Sequence, residues 1–196
     1  MRVTKAQAEA NRARIVEKAS EMFRERGYDG VGVVDLMAAA GFTHGGFYRQ
    51  FASKADLMAE AAAYGMSQSA ALTTSVDIPT FIERYVSREH RDTRSKGCTM
   101  AALSGDAARQ PDAVKAEFAE GIEQLLIQLT RRRDDDNVAN AASSRADALN
   151  TLVHAVGAIV LSRACPDDSA LSNEILVTCR ETLLAAQAVR PLGMSK

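Results

Sequence analysis

The sequence predicts an all-α protein of about nine helices, and three observations carry that expectation. The 196-residue chain is rich in alanine, with four prolines and no tryptophan, a composition that favours helices over strands. Apolar residues recur every three or four positions through most of the chain. Capping residues and glycines then cut these stretches into segments of helical length, as at Gly27, Gly41, Ser53 and Ser144. Apolar residues make up 46% and charged residues 25%, the balance of an ordinary globular protein.

The first helix is expected over residues 4–26, with Ile15, Ala19, Met22 and Phe23 on its buried face, and Gly27 ends it. Arg2, Lys5, Arg12 and Arg14 at its start read either as a solvated helix end or as an arm that touches phosphates or a minor groove. Val33, Leu36 and Met37 give one apolar face to a short helix from Val33 to Ala40. Gly41 follows, where a left-handed residue is cheapest for glycine. Phe42 fills the corner, and Thr43 is placed to cap another helix running to about Gln50. Helix, glycine turn, helix is the helix-turn-helix outline, whose second helix enters the DNA major groove. Ser53 with Asp56 forms a capping box for a fourth helix running to about Gln68.

A polar connection is expected from Ala70 to Asp77. Pro79 then opens a helix with the stripe Phe81, Ile82, Tyr85, Val86 and Glu89. His90–Lys96 reads as a charged loop. A short helix from Cys98 to about Arg109 ends before Pro111. From Pro111 to about Arg132, Val114, Phe118, Ile122, Leu125 and Leu129 form one seam, with Arg131–Arg133 favouring the helix dipole. Residues 134–144 read as a flexible, solvated loop. Two long helices close the chain, roughly 144–164 and 169–189, the first with its own capping box in Ser144 and Asp147. Leu149, Leu152, Val153, Val156, Ile159 and Val160 on one, and Leu171, Ile175, Leu176, Cys179, Leu183 and Leu184 on the other, are broader than one neighbour needs. Gly157 permits close approach, so one face is expected inside the chain and another against a second copy. Leu152, Val156, Val160, Leu176 and Leu183 are assigned to that interface.

The net charge of −1 argues against a protein that coats nucleic acid, whereas the distribution permits local DNA binding. Residues 1–57 carry nine Lys/Arg against seven Asp/Glu, and the remainder has a net charge of −3. Cys98, Cys165 and Cys179 are odd in number and lack CxxC spacing, which suits reduced thiols better than disulfides or zinc. No stretch has the length of a transmembrane helix, and the N-terminus lacks the apolar core of a signal peptide, so a cytoplasmic location away from membranes is the expectation. His44, His90 and His154 show no metal-ligand spacing, and no nucleophile elbow, phosphate loop or dinucleotide fingerprint appears. Neither an enzyme, a metal site nor a cofactor is expected.

Residues 27–57, GYDGVGVVDLMAAAGFTHGGFYRQFASKADL, resemble the N-terminal signature of TetR/AcrR-type transcriptional regulators. The likeness rests on Gly27–Tyr28, Ala38–Gly41, Phe47–Tyr48, Phe51, Ser53, Lys54 and Leu57, in register over some thirty residues. It implies a helix-turn-helix domain at 1–57, with the motif itself at about 32–51, and an effector-binding and dimerisation domain at 58–196. It further implies a homodimeric repressor on a near-palindromic operator of double-stranded DNA, released by a small molecule. By position, Thr43, His44, Gly45, Gly46, Phe47 and Arg49 belong to the groove-facing segment, while Tyr48 and Lys54 would hold phosphates. The sequence departs from the pattern at Val31–Gly32, where a hydroxyl residue is usual; Gly32 can still serve as a weaker cap, and its free N–H could reach a phosphate, with Val33 beside it also assigned to the DNA-binding set. Gly45–Gly46 read either as close backbone approach to DNA or as a frayed first turn, at about 1 kcal/mol each in helix propensity.

The middle helices offer Phe81, Tyr85, Cys98, Met100 and Phe118 as candidate effector-pocket walls, with core packing as the more ordinary reading of each. Cys98, at a helix start near Arg94 and Lys96, opens the alternative of a thiol redox sensor. A second alternative is a helical dimeric interaction protein that does not bind DNA.

Overall fold

The computed structural model describes residues 4–73, 76–131 and 141–188, and every regular element among them is helical. The elements are α1 (Lys5–Arg26), α2 (Val33–Ala39), a 3₁₀ helix (His44–Arg49), α3 (Lys54–Thr73), α4 (Ile78–Tyr85), α5 (Arg88–Asp92), a 3₁₀ turn (Arg94–Lys96), α6 (Thr99–Ala107), α7 (Asp112–Arg131), α8 (Ala141–Ala164) and α9 (Ala170–Ala188). They divide between two compact units. The first comprises Met1–Ser69 and Arg94–Gly121; the second comprises Ala70–Thr93 and Ile122–Lys196. Residues 1–57 thus fall within the first unit, which also takes in 58–69 and 94–121.

In the first unit, Thr4 caps α1 by accepting the Gln7 N–H at 3.2 Å. Ile15, Ala19 and Phe23 are buried as their spacing demands, and the Gly27 N–H closes the helix on the Phe23 carbonyl. Leu36 and Met37 of α2 join Phe23, Tyr28, Val31, Phe47, Phe51 and Leu57 in an apolar core that is at most 2% exposed. Gly41 has φ of 81°, a left-handed conformation that costs an L-residue with a Cβ, and it lets the chain double back between α2 and the 3₁₀ helix. Arg24 is also buried. Its Nε donates to the Ser95 carbonyl at 2.8 Å and its Nη1 to Ser20 Oγ at 2.6 Å, while Thr99 Oγ1 lies 3.5 Å from Nη1. These bonds tie α1 to α6 and to the turn before it.

In the second unit, Asp77 caps α4 by accepting the Thr80 N–H at 2.7 Å, with Pro79 in the first turn. The stretch expected as a charged loop instead supplies the end of α5 and, in the first unit, the 3₁₀ turn, and two features stabilise α5. Ser87 Oγ accepts the His90 N–H, and Arg91 is 2% exposed, bonded to the Ser162 and Cys165 carbonyls, Asp92 and Asp167. Arg91 therefore anchors α5 on the corner between α8 and α9, which pack along one another. That pair is crosslinked by Ser162 and Ser172, whose hydroxyls lie 2.8 Å apart.

Two expected boundaries shift, and one cap is modified. Helix α3 continues to Thr73, so residues 70–73 of the polar connection are helical. Its cap is also modified: Ser53 Oγ accepts the Asp56 N–H, but Asp56 returns its bond to the Ala52 N–H rather than to Ser53. Helix α8 begins at Ala141, which puts Ser144 inside the helix and removes its role as N-cap. The expected loop up to residue 140, together with Arg132 and Arg133, lies outside the described residues. Among the described residues, no helix is long and apolar enough to cross a membrane.

Candidate nucleic-acid interface

The segment after Gly41 is wound as a 3₁₀ helix, not the α-helix expected to Gln50. Gly46 N–H bonds to the Thr43 carbonyl and Gln50 N–H to that of Phe47, each three residues back. Two successive glycines disfavour α-helical backbone, and the tighter turn needs fewer residues to close. Thr43 holds the N-cap position, but its side chain makes no capping hydrogen bond.

This winding decides which side chains face outward. Thr43, His44, Gly45, Tyr48 and Arg49 are exposed, Tyr48 to 68%. The Tyr48 ring meets His44 edge-on at 6.1 Å. Phe47 is different. It is 1% exposed, stacked on Phe51 at 5.5 Å, and is therefore a core anchor that cannot reach a nucleic acid. Gly46 is half-buried; a Cβ there would make ordinary contact with Met37 Cε at 3.5 Å, so α2 packs on it. At Gly45 a Cβ would meet nothing within 4 Å. Gly32 is exposed at the start of α2, with Val33 half-buried beside it.

Lys54, expected on a phosphate, is occupied within the unit. Its Nζ donates to the Tyr28 carbonyl at 2.6 Å and lies 6.0 Å above the Phe23 ring. The Tyr28 N–H is held from another element, bonding to Asp106 Oδ2 of α6 at 3.1 Å. One residue between α1 and α2 is thus gripped through its N–H by α6 and through its carbonyl by α3. Burial, and secondarily the Asp106 charge, push the Tyr28 phenol well above its ordinary pKa, so it stays neutral. Nothing in the apolar periodicity reveals this joint. The available signal was Asp106 itself, an acid in the last turn of α6, where the helix dipole disfavours negative charge.

The basic residues of α1 divide. Arg12 forms a bidentate pair with Glu60 of α3 and stacks over Phe51 at 4.3 Å, so it is a brace. Arg14 is exposed, 5.7 Å from the Phe42 ring, beside the Gly41 turn. Lys5 pairs with Glu9 in solvent, and Arg2 lies outside the described residues.

Residues 15–61 match the sequence model described as bacterial regulatory proteins, tetR family. Over this stretch, which holds the helix-turn-helix, the chain is of the TetR type. Over 121 residues the chain is 29% identical to the HTH-type transcriptional repressor DhaR of Mycobacterium sp. (strain GP1), a match covering 59% of this chain and 61% of that one. The chain thus spans about three fifths of the length of that curated relative. Its fold is similar to that of a TetR transcriptional regulator from Chloroflexus aurantiacus J-10-FL, with a TM-score of 0.73 at 20% identity over 94% of this chain and 98% of that one. It is also similar to AibR, solved in complex with isovaleryl coenzyme A and operator DNA, with a TM-score of 0.57 at 15% identity over 88% and 97%. At these identities the solved structures speak to the fold.

The remaining expected sites are distributed as follows. Phe81 and Tyr85 lie together in the second unit, ring centroids 5.2 Å apart, whereas Cys98, Met100 and Phe118 are buried in the first. Cys98 is 6% exposed at the N-cap of α6, shielded from a dissolved oxidant. Leu152, Leu176 and Leu183 are buried in the second unit's own core and are not available to a partner. Val156 is half-buried and Val160 is 43% exposed.

Proposed function

We propose that this chain is a homodimeric transcriptional repressor that binds a near-palindromic DNA operator and leaves it when a small molecule binds. The observation that carries the DNA half is the recognition segment itself. Thr43, His44, Gly45, Tyr48 and Arg49 are presented together, on backbone fixed by the buried Phe47 and the doubly held Tyr28. Arg49 supplies a planar donor suited to guanine, Thr43 and His44 supply hydroxyl and imidazole groups for base edges, and Tyr48 supplies a hydroxyl for phosphate. Gly32–Val33, at the start of α2, would lie along the neighbouring backbone. Lys54 and Phe47 support this surface from behind.

The second copy would dock on an apolar face of α8 and α9. Leu149, Val153 and Val160 are exposed along α8 at steps of four and seven, with Leu161 beside them and Leu171 and Val177 exposed on α9. Val156 continues the strip, and Gly157, with open space where a Cβ would be, allows close approach. The effector reading rests on the likeness to TetR-family regulators and on the ligand complex of AibR. Within the second unit, the Phe81–Tyr85 pair offers the apolar rings such a ligand would touch.

The test is enrichment of random-sequence duplex DNA on the full chain at low salt. Inverted repeats with half-sites a whole number of helical turns apart are expected, and Tyr48→Ala is expected to weaken their binding at least tenfold. Failure to enrich any duplex would refute the repressor reading.

A further inference from the structure

Among the described residues, eight large apolar side chains are exposed. Six lie on α8 and α9, where a second copy would cover them, and Tyr48 belongs to the recognition segment. Val34 of α2 remains, at 59% exposure. Neither packing nor propensity explains it. A β-branched residue is a poor helix former, and an exposed position in a seven-residue helix gives it nothing to pack on.

Its place on α2 suggests a partner. Leu36, Met37 and Ala40 turn into the core, which at 3.6 residues per turn leaves Val34 and, one turn on, the exposed Ala38 on the outer side. Asp35 leans back towards the helix start, its Oδ2 3.4 Å from where a Cβ on Gly32 would sit. The Val34 and Ala38 side chains carry no hydrogen-bond donor, so neither side chain can hold a phosphate. Helix α2 packs on the recognition segment through Met37 and Gly46, and in helix-turn-helix docking that places the first helix at the groove's edge. The apolar group that the major groove presents is the thymine 5-methyl.

We infer that Val34 is a specificity-determining residue that reads a thymine methyl in each half-site. This rests on the DNA-binding reading above and adds a base preference to it. The probe is a duplex enriched from random sequence on the full chain, with each thymine replaced in turn by deoxyuridine, which lacks only that methyl. One thymine per half-site is expected to weaken wild-type binding about fourfold when replaced, the size of one methyl withdrawn from contact. Val34→Ala is expected to melt like wild type, bind the parent duplex several-fold more weakly, and be indifferent to uracil at that position. Equal uracil effects in wild type and Val34→Ala, or no uracil effect in wild type, would overturn the inference while leaving the repressor reading intact. Failure to enrich any duplex removes both.

Discussion

The grip on Tyr28 can be tested by removing one side of it with Asp106→Ala. The carboxylate accepts the Tyr28 N–H at 3.1 Å and also pairs with Arg109. Hydrogen bonds to charged groups contribute about 1.5–3 kcal/mol, and leaving a buried N–H without a partner costs a similar amount within that figure. The Asp106 side chain is 29% exposed, so solvent screens it and the low end applies, about 1.5 kcal/mol. The Arg109 pair, with its guanidinium 67% exposed, adds at most a few tenths. An opening equilibrium shifted by about 1.4 kcal/mol changes tenfold. Native-state hydrogen exchange of the Tyr28 amide is therefore expected to quicken about tenfold in Asp106→Ala, with amides of the second unit unchanged. Asp106→Asn, which keeps a neutral acceptor, should fall between. Duplex affinity should drop in the same order, because α2 and the recognition segment follow directly from Tyr28. Unaltered Tyr28 protection in Asp106→Ala would show that α6 does not hold this joint, whatever happened to overall stability.

Other expectations follow from the same packing. A Cβ on Gly65 would lie 2.3 Å from Thr99 Oγ1 and 2.8 Å from both Arg24 Nη1 and Ser20 Oγ, so Gly65→Ala should lose about 1–3 kcal/mol despite better helix propensity. Gly105→Ala, with open space at the same atom, should gain up to about 1 kcal/mol, and denaturant melts of the two variants should diverge in sign. Burial, more than the nearby Arg163 charge, holds the His90 imidazole below its ordinary value of 6.5, against the opposing effect of its hydrogen bond to the Tyr85 carbonyl. Its neutral form is favoured in the folded chain, so this stability is fully present above 6.5 and is lost as the pH falls towards the lowered folded value. His90→Gln should flatten that part of the stability–pH curve. Val153→Glu would put a charge on the exposed face of α8, and sedimentation should show half the wild-type mass; an unchanged mass would move the dimer elsewhere.

Most of the fold was legible because it follows from helical period and punctuation. The α1 face, the Gly27 and Gly41 stops and the seam of α7 are local features, and each appears where its spacing places it. The failures share a cause as well. Arg24 was given no role and Arg91 was read as part of a charged loop, yet both are buried, each bonded to a backbone carbonyl far along the chain, Ser95 for Arg24 and Ser162 for Arg91. Periodicity cannot see such partners, and α5 was read as a loop for that reason. On α8 the apolar residues cover so much of the circumference that period alone cannot say which face turns inward. Leu152 was assigned outward and is buried, while Val153, beside it, is 63% exposed. Phe47 was grouped with its DNA-facing neighbours, but a 3₁₀ turn sends it into the core between exposed Gly45 and exposed Tyr48.

The charge accounting of the interface bears on why two copies would be required. Within His44–Arg49 the one Lys or Arg is Arg49. Arg12 is committed to Glu60 and Lys54 to the Tyr28 carbonyl, which among the described residues near the recognition segment leaves Arg14 and Arg49 to meet phosphates. Each neutralised phosphate contributes about −0.9 to the slope of log affinity against log salt, so a single copy has little non-specific attraction to draw on. Two linked recognition segments change this, since the second binds at an effective concentration in the millimolar range. If α8 and α9 carry the proposed dimer, their apolar face would be a condition of DNA binding as well as of assembly. Val153→Glu, although it alters the second unit and leaves the recognition segment untouched, should abolish operator binding at concentrations where the wild-type dimer is saturated. If the monomeric variant still bound with wild-type affinity, one recognition segment would be sufficient, and contacts beyond those of Thr43 to Arg49 would have to supply the difference.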